Sequence, residues 1–482
     1  MGALRDKTVK GMKWNAIGKF STQGVNFLVG LVLARLLSPS DYGVIGMVAV
    51  FFSIAQTFIE GGFGSALIRK KECSDIDYST AFYCNIFVAL LCCVVLSLVS
   101  PFIADFFDTP ILEDVIKVLS LNTLIGAAGI VYTSQLTRDV NFKAQAKVSL
   151  ASSFVSGLVG VLFAYNGFGV WSLVFQNLTA TIVRVVCLCL VTKWIPKFHV
   201  SYRTLRYLLG FGSKILAANM LHSIYCNLTT FLIGKLYTAK DLGYYSRGES
   251  LSSFASSNIA GVIQNVTYPV LSKLQSDDDR LILLYRRFIA VTSLVVFFIM
   301  FILAALAKPL VATLLTEKWM EAVIFLQVFC FAYMFDHICY MNLNILYVKG
   351  HSNLVLRLEI IKKTISISMI LIAIKFGVLA ICIARALYAQ IAVIANTYYS
   401  GKLYGLGYIE QVKDYGKYFI FSAISVVPAY LITFTSLNSI IQLIVGGTMA
   451  LLIYYCMLRN DSNLKELLEI IKSNLFGKKI GM

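Results

Sequence analysis

Residues 15–71 read NAIGKFSTQGVNFLVGLVLARLLSPSDYGVIGMVAVFFSIAQTFIEGGFGSALIRKK, and this stretch decides the fold. It holds two apolar runs, each long enough to cross a hydrocarbon layer of roughly 30 Å. The short turn Ser38-Pro39-Ser40-Asp41 joins them. Both runs carry polar residues that a lipid-facing helix would not tolerate. In the first, Asn15, Lys19, Thr22, Gln23 and Asn26 fall three or four positions apart and share one helical face. In the second, Ser53, Gln56, Thr57 and Glu60 do the same. A charge at bilayer depth costs about 3 kcal/mol or more, so it faces protein or a water-filled cavity. The pair reads as two walls of a polar interior.

The rest of the chain has the same character. Its 482 residues are 58% hydrophobic and only 14% charged, with mean hydropathy +0.76, which no soluble domain of ordinary composition matches. Apolar runs of spanning length recur from end to end, so this is an all-α polytopic membrane protein. The net charge of +17 would suggest nucleic acid in a soluble protein; here it arises from basic loops, and no nucleic-acid partner is expected. The start, MGALRDKTVKGMKW, has no small-residue cleavage site and is not read as a signal peptide. Eleven cysteines, mostly inside apolar runs and without CxxC spacing, read as reduced packing residues. With four scattered histidines, neither a metal nor a cofactor is expected.

About fourteen spans fit the pattern, near 15–37, 42–68, 80–104, 115–136, 146–165, 168–192, 208–236, 246–270, 286–312, 320–347, 354–375, 378–398, 417–436 and 438–458. Lys and Arg crowd alternate loops, as at Arg69-Lys70-Lys71, Lys193–Arg206 and Arg459–Lys479. The opposite loops hold few, Arg35, Lys235 and Lys308 among them. The positive-inside rule then puts both termini in the cytoplasm. The longest outer loop expected runs from Asp105 to Asp114, too short to carry a catalytic domain.

An internal repeat is the second signal. ARLLSPSDYG (34–43) aligns with GKLYTAKDLG (234–243) at an offset of 200, and Phe168-Gly169-Val170 with Phe376-Gly377-Val378 at 208. Each half holds an even number of helices, so the halves are parallel repeats, as in secondary transporters. The expected organisation is a six-helix lobe over 1–200 and a second over 201–400. Residues 401–482 add an interfacial helix at 401–416, two more spans and an amphipathic tail over 462–479. Counterparts of the polar walls carry Asn219, His222, Cys226 and Asn227, then Ser253, Ser256, Ser257, Gln264 and Asn265. Four polar helices are expected around one central cavity.

Ionisable residues at depth need a reason. Lys19 and Glu60 either pair with one another or serve the cavity. Arg184 and Arg385 either snorkel to an interface or grip an anion. Arg247 and Glu249 sit near the outer end of the eighth span. Asp336-His337, followed by Asn342 and Asn344, is either a hydrogen-bonded core pair or a proton- or cation-sensitive element.

The run ARLLSPSDYGVIGMVAVFFSIAQTFIEGGFGSALIRKK (34–71) resembles the signature of Wzx-type polysaccharide flippases. The segments TRDVNFKAQAKVSLASS (137–153), GFGVWSLVFQNLTATIVR (167–184), LRYLLGFGSKILAANM (205–220) and KDLGYYSRGESL (240–251) support it. The resemblance is to the colanic and teichuronic acid exporter branch of the multidrug/oligosaccharidyl-lipid/polysaccharide exporter superfamily. It implies a V-shaped two-lobed helical fold, alternating access and residence in a bacterial inner membrane. Its implied substrate is an undecaprenyl-pyrophosphate-linked oligosaccharide, with a sodium or proton gradient as coupling and polysaccharide polymerase and chain-length proteins as partners. Lys19, Gln23, Asn26, Gln56, Glu60, Arg184, Asn219, His222, Arg247, Glu249 and Arg385 are the candidate cavity residues, and Asp336, His337 and Glu60 the candidates for ion coupling. A multidrug cation antiporter of the same superfamily is the rival reading, and a membrane-embedded polymerase or ligase a more remote one.

Overall fold

The computed structural model describes residues 2–476, without the side chains of 2–10, 12, 13, 214, 259–266 and 470–476. Expectations for Gln264, Asn265, Lys478 and Lys479 therefore lie outside the described residues. All regular structure among the described residues is helical. The first helices are α1 (Gly2–Leu36), α2 (Pro39–Glu60), α3 (Phe63–Arg69), α4 (Asp75–Phe106), α5 (Ile111–Arg138), α6 (Phe142–Tyr165), α7 (Val170–Thr192), α8 (Tyr202–Leu236) and α9 (Ala239–Lys273). There follow α10 (Asp278–Ala305), α11 (Ala307–Leu314), α12 (Ala322–Tyr333), α13 (Asp336–Val348), α14 (Ser352–Ala373) and α15 (Val378–Tyr404). The chain continues with α16 (Tyr408–Ser425), α17 (Val427–Ile432), α18 (Ser439–Leu458) and α19 (Ser462–Phe476).

Among the described residues, eleven helical stretches are long and apolar enough to cross a membrane. The expected fourteen also counted α8, α9 and α14. Arg357, Glu359, Lys362 and Lys363 interrupt α14, and α8 and α9 are rich in Ser, Asn and Thr. Large apolar side chains point outward on the long helices: Leu98 is 68% exposed, Phe102 73% and Leu190 68%. In water such faces would aggregate; against lipid tails they are at home.

Several expected spans are broken. The second ends at Glu60 because Gly61 (φ 45°) and Gly62 (φ 72°) both take left-handed backbone, after which α3 restarts. The tenth span is interrupted at Met334-Phe335, between α12 and α13. No separate interfacial helix forms at 401–416: α15 runs on to Tyr404, Gly405 (φ 70°) turns the chain, and α16 begins at Tyr408. The outer loop expected from Asp105 to Asp114 shrinks to Phe107–Pro110, since α4 and α5 extend into it.

Local chemistry explains the helix starts at the repeat anchors. Ser38 caps α2 in a capping box: its N–H donates to Asp41 Oδ2 (2.8 Å), while Asp41 N–H donates to Ser38 Oγ (3.3 Å). Thr238 and Asp241 repeat the arrangement at α9, at 3.1 Å for both bonds. The second anchor matches too. Gly169 (φ 55°) precedes α7 and Gly377 (φ 104°) precedes α15.

The chain divides into two compact units, residues 1–243 and 244–482. In the first, α1 packs on α6, α4 on α5, α7 on α5 and α6, and α2 on α8. In the second, α10 packs on α16, and α15 on α12 and α14, around a core that includes Tyr285, Phe297 and Tyr418. A buried polar knot ties α13, α15 and α16. Asn342 Oδ1 accepts from Ser400 Oγ (2.6 Å) and Gln411 Nε2 (2.9 Å), and Asn342 Nδ2 donates to Gln411 Oε1 (2.9 Å). Every member is satisfied, which is what makes such a network tolerable in a core. The eleven cysteines form no disulfide.

Candidate functional site

The first unit encloses a cavity of about 630 Å³ lined by α2, α3, α5, α7 and α8. Gln56 and Glu60 enter it from α2, Asn122, Thr133 and Thr137 from α5, Asn177, Thr181 and Arg184 from α7, and Asn219 from α8. Spacing explains each wall. Asn177, Thr181 and Arg184 stand four and three apart, one face of α7. On α5, Asn122, Gly126, Gly129, Thr133 and Thr137 form a second such stripe.

Arg184 has no hydrogen-bond or ion-pair partner among the described residues and stands exposed in the cavity wall. Glu60 accepts one bond, from Gln56 Nε2 (3.1 Å). Asn122 Oδ1 is buried and without a protein partner. Among the described residues the cavity thus offers one unneutralised cation, one carboxylate, several hydroxyls and amides, and an apolar remainder that includes Ile45, Leu119 and Ile215. An anionic, hydroxyl-rich ligand would satisfy them, because guanidinium binds carboxylate and phosphate through parallel hydrogen bonds. Among the described residues, Phe52 is the only aromatic one in the lining.

A second, smaller pocket of about 260 Å³ lies between α1 and α6. Lys19 and Gln23 line it with Asn15, Thr22, Gln145 and Ser149. Thr22 Oγ1 and Gln23 Oε1 are buried there without partners. Lys19 has no ion-pair partner among the described residues, so it and Glu60 are not paired; they line different pockets. Asn26 and His222 are exposed and line neither; His222 lies 3.5 Å from Cys226 Sγ through Nε2. Ser53 and Ser223 hydroxyls meet at 3.3 Å, joining the polar faces of α2 and α8.

The remaining candidates sit in the second unit. Arg385 does not snorkel. Its Nη1 donates to Glu249 Oε1 (2.6 Å) and Tyr245 OH (3.3 Å), and Nη2 to Tyr333 OH (2.7 Å). Tyr333 OH donates in turn to Glu249 Oε1 (2.9 Å), closing a ring. The Arg247 guanidinium lies 5.7 Å from the Trp319 ring centre. Asp336 and His337 are not bonded to each other: His337 Nε2 meets Ser293 Oγ at 2.8 Å and its ring packs on Phe297.

The sequence named Arg184 on α7 as a cavity residue, but Asn177 and Thr181 beside it and the whole wall from α5 were passed over. The signal was present, in the Asn177/Thr181/Arg184 spacing, but the hydroxyls of Thr133, Thr137 and Thr181 are common inside helices. Thr133 and Thr181 also bond the backbone four residues back, at 2.8 and 3.2 Å.

Residues 32–324, more than half of the chain, match the family model described as Polysaccharide biosynthesis protein. The chain belongs to this family. Lipopolysaccharide biosynthesis protein WzxC of Escherichia coli (strain K12) is 23% identical over 68% of this chain and 67% of its own. Teichuronic acid biosynthesis protein TuaB of Bacillus subtilis (strain 168) is 22% identical over 73% and 74%. Succinoglycan biosynthesis transport protein ExoT of Rhizobium meliloti (strain 1021) is 25% identical over 66% and 64%. Among solved structures, the lipid II flippase MurJ shares the fold with TM-score 0.75 at 15% identity, covering 92% of this chain and 99% of that one. A multidrug resistance MATE family transporter of the MOP superfamily follows at TM-score 0.61 and 14% identity, covering 80% and 94%. Family and fold agree on a polytopic helical membrane protein of polysaccharide biosynthesis.

Proposed function

We propose that this protein is a lipid-linked oligosaccharide flippase, moving undecaprenyl-pyrophosphate-linked repeat units from the inner to the outer leaflet for surface polysaccharide assembly. The observation that carries the reading is Arg184, a cation without a partner among the described residues, in a cavity whose polar lining is mostly hydroxyls and amides, with Glu60 and an apolar remainder. Arg184 anchors an anionic group, Glu60, Asn177 and Asn219 meet sugar hydroxyls, and the lipid tail stays in the bilayer. The two parallel repeats supply alternating access. The clustering of basic loops supports cytoplasmic termini in a bacterial inner membrane. Biosynthesis and transport proteins for polysaccharides among the relatives support the same substrate class.

The MATE-like fold favours a second reading, a multidrug antiporter. A cavity with one aromatic residue and a free arginine suits a cationic, apolar drug poorly. Replacing Arg184 with Ala in cells tests the two. Loss of surface polymer with protein level retained supports the flippase; unchanged polymer with new drug sensitivity supports the antiporter.

A further inference from the structure

We propose that the segment joining α7 to α8, residues 193–206, docks on an anionic phospholipid surface and so fixes the joint between the two sequence repeats at the membrane face. The inference needs only a membrane-embedded chain and stands whatever the cargo. Three observations carry it.

First, the segment is held at the level of the lipid headgroups. It leaves α7 at Thr192 and lies against the start of α4 at Asp75, and both residues end membrane-spanning stretches. The exposed ion pair of Asp75 with Lys197 (2.8 Å) puts the first turn of α4 outside the hydrocarbon. The segment is tied to that turn and the next. Lys197 N–H donates to Ser79 Oγ (3.0 Å), Ser201 N–H to Thr80 Oγ1 (3.0 Å) and Thr204 Oγ1 to Asp77 Oδ1 (2.6 Å).

Second, large apolar side chains of this segment stay outside the fold. Residues 193–201 form no regular structure, and Pro196 has no N–H with which to continue a helix. Trp194 packs inward, its ring 5.7–6.1 Å from those of Tyr78, Phe82 and Tyr132. Phe198 and Ile195 do not: they are 92% and 76% exposed, and Val200 and Tyr202 are exposed beside them. Such a patch is unfavourable in water. At a membrane interface, aromatic and aliphatic groups settle between headgroups and acyl chains.

Third, the same segment is positively charged. Asp75 neutralises Lys197, but Lys193, Arg203 and Arg206 are exposed and have no ion-pair partner among the described residues. Arg203 and Arg206 stand three apart, on one face of the start of α8. Each Lys or Arg near an anionic leaflet strengthens local binding by about fivefold, so three of them favour an anionic over a zwitterionic surface. A protein partner would need acidic groups matched to these three positions; a fluid layer of lipid phosphates supplies them without fixed geometry.

The full-length chain carrying Phe198→Trp, in vesicles whose lipids are brominated high on the acyl chains, tests this. Emission of the four native tryptophans is measured in the parent and subtracted. The added emission should be quenched about twofold more in phosphatidylglycerol than in phosphatidylcholine, and Arg203→Gln with Arg206→Gln should remove the difference. Hydrogen exchange over residues 193–206 of the unaltered chain gives a second reading, slower in phosphatidylglycerol than in phosphatidylcholine. Added emission that escapes quenching, quenching indifferent to lipid charge, or exchange equal in the two lipids overturns the proposal. The transport reading fails by a different result, unchanged lipid-linked oligosaccharide after gene deletion, whatever the quenching does.

Discussion

Gly43 and Gly243 make a reciprocal close contact. A Cβ on Gly43 would lie 1.7 Å from the carbonyl oxygen of Ala239, and one on Gly243 would lie 1.9 Å from that of Pro39. These glycines occupy equivalent places in the two repeat motifs, each in the first turn after a capping box. Each repeat's helix start therefore rests on the backbone of the other, and neither can carry a side chain.

Gly43→Ala and Gly243→Ala should each destabilise the protein by about 1–3 kcal/mol, the usual cost of forcing atoms into a packed contact. Because the two glycines share one contact, the double variant should cost less than the sum of the singles. Thermal melts of the three variants in detergent check both statements.

Arg184→Ala should cut surface polymer by roughly tenfold to a hundredfold, since a hydrogen bond to a charged group contributes about 1.5–3 kcal/mol. Arg184→Lys should retain part of the activity, keeping the charge but losing the paired donors. Lys19→Ala, altering the separate α1–α6 pocket, should give a different pattern, with substrate capture affected more than turnover. Polymer assayed at several expression levels separates the two.

The apolar helices and the repeat were legible in the sequence because they depend on local pattern: apolar length, and the matched motifs at 34–43 and 234–243. The partition of polar residues was not. Lys19 and Glu60 lie on adjacent helices with matching stripes, and only packing shows that one lines the α1–α6 pocket and the other the larger cavity. Arg385 and Glu249 are 136 positions apart, so no spacing rule could join them. The break at Met334-Phe335 has neither glycine nor proline to announce it.

Glu249→Gln or Arg385→Met alone should lower stability by about 1–3 kcal/mol, because each strands a partner that the fold has drawn partly out of water. The pair of changes together should be milder than either alone. Denaturation of the single and double variants, compared as a cycle, measures the coupling.

Asp461, in the turn before α19, accepts from Lys417 Nζ (2.6 Å), Tyr418 OH (3.1 Å) and the N–H of Asn463 (2.9 Å). Burial pushes its carboxyl up, but these bonds prevail and hold it below the ordinary aspartate range. A depressed folded pKa stabilises above the unfolded value, roughly 4, and that stability is lost as pH falls through the folded one. Asp461→Asn should therefore melt lower than the parent at neutral pH, and the two should converge in strong acid.

The central claim is that this protein carries a lipid-linked glycan across the membrane. Deleting its gene and measuring lipid-linked oligosaccharide on each leaflet, together with surface polymer, tests that most directly. The account predicts that the glycolipid accumulates on the cytoplasmic leaflet while surface polymer disappears, and that restoring the parent chain but not Arg184→Ala reverses both. Glycolipid distributed as before, with polymer intact, would contradict it.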